Sequence, residues 1–441
     1  MKNYFKLTSL AIILLFASYS FQIQAQSQPE LDGVIIEELE LYPKLLNLPG
    51  VEVIKVTSSD VWKEFYSLKI TQYVDHKKQK DTFTQRVFVG HRGLDNNTLL
   101  ITEGYGAQYA SNPNYNNELS DYLNSNQITI EHRYFLESVP KQKEWKYLTV
   151  ANAAADHHHI VELLKPIYEN KWINTGISKG GQTSIYHRYH YPEDVDVTVG
   201  YVCPLNFGPE DKRVYTFLQN VGPETKRDSI FSYQKIMLEQ KAEFMPIFED
   251  YCAKNHLNFK ISLEAAYEFC ILEYSFAYWQ WGSYAYTAIP SATSDTKYKF
   301  DHLMKISSPD YFSTESHKYF GSFFYQAFTE IGYYGYDIKP FGDLVVAIKD
   351  HNASFHKPDG GRKRYKYSSM KKVNKWLEKD ADHMMFIYGE YDPWSSTAVD
   401  VNNTNLKKYV KPEGSHATRI ANMPDTMRNE ILGQLQQWLN D

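Results

Sequence analysis

Lys171-Trp-Ile-Asn-Thr-Gly-Ile-Ser-Lys-Gly-Gly181 is the stretch that decides the fold. It reads as a short buried strand that runs through G-x-S-x-G, at Gly176, Ser178 and Gly180, into a helix. A serine at such a turn sits in a strained backbone conformation, and the flanking glycines let strand and helix approach without a Cβ clash. The hydroxyl of Ser178 then projects into a cleft. The amide of Lys179 stands at a helix N-terminus, where it is placed to bind an oxyanion. A glycine-flanked serine before a helix is also an ordinary N-cap pattern, so chain order has to decide between the two.

Folds that use this elbow place an acid after a later strand and a histidine in a later loop. Met384-Met-Phe-Ile-Tyr-Gly-Glu-Tyr-Asp-Pro-Trp394 supplies an apolar strand ending in a turn that carries Asp392. Lys407-Lys-Tyr-Val-Lys-Pro-Glu-Gly-Ser-His416 supplies a second strand and a Gly-Ser-His loop. Asp-Pro alone is a turn former. His416 is one of 15 histidines, yet it alone follows a strand late enough for the order. The three residues form a candidate triad: His416 takes the proton of Ser178 during attack on a carbonyl, and Asp392 orients the imidazole. The Lys179 amide and one from the Gly104-Tyr105-Gly106 loop are the candidate oxyanion donors. Such chemistry requires no metal and no organic cofactor.

With 441 residues the chain can bury a substantial core. Its net charge of -6, with dispersed lysines and arginines, gives no basic surface for nucleic acid. Aromatic residues are abundant at 15%, including 36 tyrosines, which suits an extracellular protein that handles peptide or carbohydrate surfaces. Lys2 and Lys6, the apolar run from Leu10 to Phe16 and a polar stretch to Ala25 read as a secretory signal peptide cleaved after Ala25. No later segment approaches the roughly 20 apolar residues of a membrane span. No cysteine follows the apolar run, which argues against a lipid anchor. A periplasmic or secreted protein without stable membrane insertion is expected. Export permits disulfides, and Cys252 and Cys270 could close one, though the sequence does not show whether they are joined; Cys203, in an apolar run, reads as a small buried residue.

Strand-like runs from Val51 to Val56, Glu64 to Val74 and Thr82 to Val89 predict an antiparallel meander. From Thr98 short apolar strands alternate with amphipathic helices, which predicts a parallel sheet covered on both faces. Beyond Pro204 the alternation stops in a mostly helical, aromatic segment that ends at a polar linker, Lys357 to Arg364. The expected organisation is a leader over 1–25, an α/β core over 26–205 and 365–441, and a helical cap over 206–364.

These residues resemble the secreted mycelial tripeptidyl aminopeptidases, serine exopeptidases related to the lysosomal prolyl carboxypeptidase and dipeptidyl peptidase group. The resemblance rests on Thr102-Glu-Gly-Tyr-Gly106, Glu131-His-Arg-Tyr-Phe135, Thr175-Gly-Ile-Ser-Lys-Gly-Gly181, Tyr191-Pro-Glu-Asp-Val-Asp196, Tyr201-Val-Cys-Pro204, Tyr388-Gly-Glu-Tyr-Asp-Pro-Trp394 and Gly414-Ser-His416. Glu273-Tyr-Ser-Phe-Ala-Tyr-Trp-Gln280 and Tyr325-Gln-Ala-Phe-Thr-Glu-Ile-Gly332 extend it into the cap. It implies an α/β-hydrolase core with a helical cap, the triad Ser178, Asp392 and His416, and release of short peptides, typically tripeptides, from free N-termini of oligopeptides. Cys203 departs from it, standing where a small alanine-like residue is expected.

An exopeptidase needs a group that reads the substrate ammonium, usually a carboxylate at a set distance from the nucleophile. Glu330 and Glu273 are the cap candidates, with Glu131 and Glu103 near the core strand ends. Trp279, Tyr278 and Trp281 are candidate subsite aromatics, with helix packing as the alternative. His132 is read as support for the site floor. His157-His-His159 is a poor metal site, because consecutive helix residues point in different directions. The side chain of Lys179 is expected to point away from the serine. A carboxylesterase or lipase, a dipeptidyl or prolyl-specific peptidase of the same fold, and a peptide-binding protein without turnover are the competing functions. The sequence leaves the oligomeric state open.

Overall fold

A computed structural model describes residues 29–282, 285–348, 352–360, 364–402 and 405–441. The leader read over residues 1–25 and part of the exit linker lie outside the described residues.

A ten-stranded sheet organises the molecule. Its strands are β1 (Glu30–Asp32), β2 (Val51–Thr57), β3 (Glu64–Asp75), β4 (Lys80–His91), β5 (Thr98–Thr102), β6 (Asn126–Ile130), β7 (Trp172–Ile177), β8 (Val197–Tyr201), β9 (Met384–Gly389) and β10 (Leu406–Lys411). Their order across the sheet is β1-β2-β3-β4-β6-β5-β7-β8-β9-β10. β2, β3, β4 and β6 pair antiparallel, and β6 through β10 are parallel. Edge strand β1 adds parallel to β2 and is too short at three residues to give a sequence pattern.

The helices are α1 (Tyr42–Leu45), α2 (Glu118–Tyr122), α3 (Val150–Leu164), α4 (Lys179–His190), α5 (Arg213–Asn220), α6 (Glu224–Glu239), α7 (Lys241–Lys254), α8 (Leu263–Trp281), α9 (Thr296–Ile306), α10 (Thr314–Gln326), α11 (Ser368–Lys379) and α12 (Asp425–Asn440). Side-chain alternation along the parallel strands builds a core on each face. Leu100 packs with Ile160 and Leu164 of α3. Its neighbours Leu99 and Ile101 face the opposite way and join Val197, Val199, Met385 and Ile387 against Ile431, Leu435 and Trp438 of α12. A mostly parallel sheet covered on both faces, with the serine turn after β7, is the α/β-hydrolase arrangement.

Between β8 and β9 the chain inserts α5 through α10 and then α11. Helix α8 is apolar around most of its circumference, the mark of a helix buried on all sides. Gly282 ends it in a left-handed conformation, which glycine adopts without a Cβ penalty. The Gln280 carbonyl in its last turn accepts the amide of His416 at 2.8 Å, so the insertion is fastened directly to the histidine loop.

The question of a bridge between Cys252 and Cys270, open in the sequence, is answered by the structure. Cys203, Cys252 and Cys270 are all free and buried. Cys252 on α7 and Cys270 on α8 pack as small apolar groups in the core of the insertion, where burial pushes the Cys252 thiol up to about 12. Among the described residues, no helix is long and apolar enough to cross a membrane.

Candidate active site

Ser178 sits at φ 56°, ψ -120°, between β7 and α4. The turn is this tight because three glycines remove the side chains that would block it. A Cβ on Gly176 would lie 2.2 Å from the carbonyl carbon of Gly180, and one on Gly180 would lie 2.8 Å from the Thr102 carbonyl oxygen. One on Gly181 would lie 2.6 Å from Cβ of Cys203. The Ser178 amide donates to the Tyr201 carbonyl at 2.8 Å, which pins the turn to β8. Lys179 opens α4, so its amide is at the helix N-terminus. The loop after β5 closes over this point: a Cβ on Gly104 would meet Cβ and Cγ of Lys179 at 2.6 Å. The Tyr105 ring is wedged among Phe135, Phe320 and Phe323.

Asp392 follows β9 and caps the short 3-10 turn Pro393–Thr397, accepting the Trp394 amide at 3.1 Å through Oδ1. Its Oδ2 lies 2.7 Å from Nδ1 of His416. Asp392 is fully buried and His416 nearly so. The Tyr391 amide donates to the Gly414 carbonyl at 2.8 Å and brings the two loops together. With Nδ1 engaged by the carboxylate, Nε2 of His416 is left for the serine side of the site. Ser178 and His416 both line a cleft of about 830 Å³ between the sheet and the insertion.

Glu273 lines the same cleft. It is buried, and its Oε2 accepts the Tyr334 and Tyr336 hydroxyls, each at 2.8 Å. Burial pushes its carboxyl up to about 7, against the opposing effect of those two donors.

A family model described as PS-10 peptidase S37 matches residues 37–438. The chain belongs to that family. The S37 peptidase is therefore a serine peptidase. It is 27% identical over 420 residues to the prolyl tri/tetrapeptidyl aminopeptidase of Streptomyces mobaraensis, covering 93% of this chain and 87% of that one. Among solved structures it is similar to a proline iminopeptidase of Mycobacterium smegmatis (13% identity, TM-score 0.41, 84% of this chain and 99% of that one). It is also similar to acetyl xylan esterase 1 of Thermoanaerobacterium sp. (12% identity, TM-score 0.39, 91% and 92%).

The other carboxylates singled out in the sequence of the S37 peptidase fall in different places. Glu330 does not line the cleft. It lies in a π turn extending α10, accepts the Val150 amide at the start of α3 at 2.9 Å and the Ser369 hydroxyl at 3.0 Å, and sits 3.7 Å from Lys366 Nζ. Glu131 is enclosed by the Arg86 guanidinium, the Ala107 amide at 3.0 Å and the Ser138 hydroxyl at 2.8 Å. It ties β4 to the loops after β5 and β6. Glu103 does line the cleft, bonded to the Tyr109 hydroxyl, with burial pushing its carboxyl up.

The aromatics divide in the same way. Trp279 packs over Gly222, with Lys226 Nζ 4.4 Å from its ring, and lines a separate cavity. Tyr278 is buried core. Trp281 is exposed at the cleft, edge-on to His416 at 5.9 Å. Composition gave no hint of Arg419, which lines the cleft and donates to the His416 carbonyl at 3.1 Å. Its position three residues after His416 is the only signal available.

Lys179 sends its stem under the Tyr105 loop, with Nζ 5.8 Å from the Tyr105 ring and 5.9 Å from the Phe135 ring. Burial lowers its ammonium to about 7. His132 donates through Nδ1–H to the Arg133 carbonyl, 2.8 Å away, and burial holds its imidazole well below the usual value. His157 is buried, His158 bonds Asp194 at 2.9 Å, and His159 bonds Gln72 at 2.9 Å, so the three point apart. Among the described residues the one metal-capable group is Glu40, Glu64 and His91, outside the cleft lining. Its oxygens are already engaged by Lys63, by the Glu40 and Leu41 amides and by the Tyr66 hydroxyl.

Proposed function

We propose that this serine peptidase releases short peptides, foremost tripeptides, from free N-termini of oligopeptides. Ser178 attacks the scissile carbonyl while His416 takes its proton through Nε2, and Asp392 holds the imidazole by its Nδ1–H. The Lys179 amide and one from the loop at Tyr105 stabilise the oxyanion, each worth about a hundredfold or more in turnover. His416 then returns the proton to the leaving amine. Water hydrolyses the acyl-enzyme by the same route.

The observation that carries the exopeptidase reading is Glu273, a buried carboxyl in the cleft that holds Ser178 and His416. An incoming ammonium gives this group the partner that burial otherwise denies it, and the match favours ionisation as substrate binds. A fixed carboxylate measures the distance from N-terminus to scissile bond. Tyr105, Phe323, Tyr333 and Trp394 make aromatic walls beside Ser178 that suit the flat face of a pyrrolidine ring. The name of the Streptomyces relative supports a proline preference next to the cleaved bond. In this reading residues 206–364 act as the cap that closes the cleft, and the leader exports the enzyme to the periplasm or medium.

The deciding experiment is mass-spectrometric analysis of products from a peptide ladder, each member offered with a free and an acetylated N-terminus. Tripeptides released only from free N-termini, and not by Ser178→Ala, are the expected outcome. Equal cleavage of acetylated peptides would sink the reading, and ester hydrolysis without peptide cleavage would move the protein to the esterase class.

A further inference from the structure

Tyr334 borders two cavities. One is the cleft; the other, of about 300 Å³, lies within the insertion between α5, α6, α8 and the segment after α10. Its volume is at the lower end of pockets that hold small ligands, roughly 300–1,000 Å³. Ile230, Leu272, Phe276 and Phe341 make its lining mainly apolar. Charge is confined to three residues, Arg227, Asp228 and Asp337.

Those charges are unequal. Arg227 donates through one terminal nitrogen to the carbonyls of Asn220, Val221 and Gly222 at the end of α5, which face it with the negative end of the helix dipole. Among the described residues Asp337 accepts only the Lys339 amide at 3.2 Å and the Gln219 side chain at 3.4 Å. Asp228 is exposed and has no hydrogen-bond or ion-pair partner among the described residues. With one arginine against two aspartates, the lining carries one negative charge in excess, on exposed Asp228 and half-buried Asp337, beside an apolar wall.

We propose that this cavity is a second binding site, for a small primary amine with an apolar body, the chemistry of an uncapped apolar N-terminal residue or an amino-acid amide. The ammonium pairs with Asp228 and Asp337, and the apolar body lies along Leu272 and Phe276. The site adjoins the catalytic cleft through one wall. Phe276 and Tyr334 stack at 4.0 Å with their planes 9° apart, and Tyr334 and Tyr336, both in the lining, are the two residues that hold Glu273. An occupant that packs on these rings holds their hydroxyls on the carboxylate and lowers KM for free-amine peptides. The effect on KM rests on Glu273 reading the ammonium; binding in the cavity does not.

Calorimetric titration of the Ser178→Ala protein with L-phenylalaninamide and with N-acetyl-L-phenylalaninamide tests the site. The free amine is expected to bind at two sites and the acetylated one to miss the second. Glu273→Gln removes the cleft isotherm and leaves the other. Asp228→Asn weakens the second at least tenfold, and Ser275→Trp, which fills the cavity from α8, abolishes it. A single isotherm that disappears with Glu273→Gln overturns the proposal, as does a second isotherm indifferent to both Asp228→Asn and Ser275→Trp. A cleft isotherm that is missing in the Ser178→Ala protein itself, or that survives Glu273→Gln, counts against the exopeptidase reading and leaves the second site standing.

Discussion

Nδ1 of His416 and Oδ2 of Asp392 lie 2.7 Å apart, 24 residues apart in the chain, in a setting almost closed to solvent. In the proposed mechanism the carboxylate fixes the tautomer that leaves Nε2 free to act as base. Asp392→Asn replaces an acceptor with a group that favours the wrong tautomer. We expect kcat to fall about 10⁴-fold with KM within a factor of three. Steady-state kinetics on a free-amine oligopeptide measure this, and a loss below tenfold would remove Asp392 from the triad.

Gly176 tests the elbow through stability. Its added Cβ would sit 2.2 Å from the Gly180 carbonyl carbon, a contact with backbone that cannot rotate away. Gly176→Ala should lower unfolding free energy by about 3 kcal/mol and abolish turnover. Gly433 on α12 has open space around its Cβ position. There Gly433→Ala should raise stability by about 0.5–1 kcal/mol. Urea denaturation of the pair is the measurement.

Glu273 predicts a pH dependence. Its folded value of about 7 is raised above the unfolded one, so its contribution to stability is full at acid pH and is lost as pH rises through 7. Glu273→Gln keeps the buried shape without the titration. The variant should exceed the parent in stability at pH 8 by on the order of 2 kcal/mol and match it near pH 4. Its KM for free-amine peptides should rise at least tenfold, and the fall in KM expected of the parent as pH rises through 7 should be absent. Equal KM values in the two proteins would dismiss Glu273 as the ammonium reader.

Lys179 carries the opposite sign. Burial depresses its ammonium to about 7, so stability from this group is full above the unfolded lysine value and is lost as pH falls through 7. Lys179→Met keeps the stem that supports Gly104 and removes the charge. Melting temperature should rise at pH 6 and remain unchanged near pH 10, while kcat stays within about tenfold because the proposed oxyanion donor is the backbone amide. Thermal scans at the two pH values settle the sign.

Glu330 gives the contrasting case. Its bond to the Val150 amide places it at the start of α3, where negative charge favours the helix. Glu330→Ala should cost about 1–2 kcal/mol of stability and leave KM unchanged. A KM rise comparable to that of Glu273→Gln would return Glu330 to the list of ammonium readers.

In the sequence Glu273 and Glu330 look alike, each set among aromatics in a helical stretch. Periodicity places a residue on a helix but says nothing of which face meets the cleft when the helix, like α8, is buried on most sides. Trp279 and Trp281 show the same gap: two positions apart on α8, one lines the second cavity and the other the cleft. Cys252 and Cys270 were compatible with a bridge by spacing, yet their thiols face apolar packing between α7 and α8.

What the sequence determined by itself is whatever local sterics and strand periodicity control. The glycines around Ser178 force the turn, alternation along Leu99 to Ile101 sets two buried faces, and strands ending at Asp392 and before His416 fix their order. Tertiary structure decided which of the candidate carboxylates line the cleft with Ser178: Glu273 and Glu103 do, Glu330 does not. That choice depends on how α8 and α10 dock against the sheet, through contacts between residues more than a hundred positions apart, such as Gln280 with His416 and Glu330 with Val150. Such contacts leave no local pattern, because their geometry is set by the packing of whole elements rather than by neighbours in the chain.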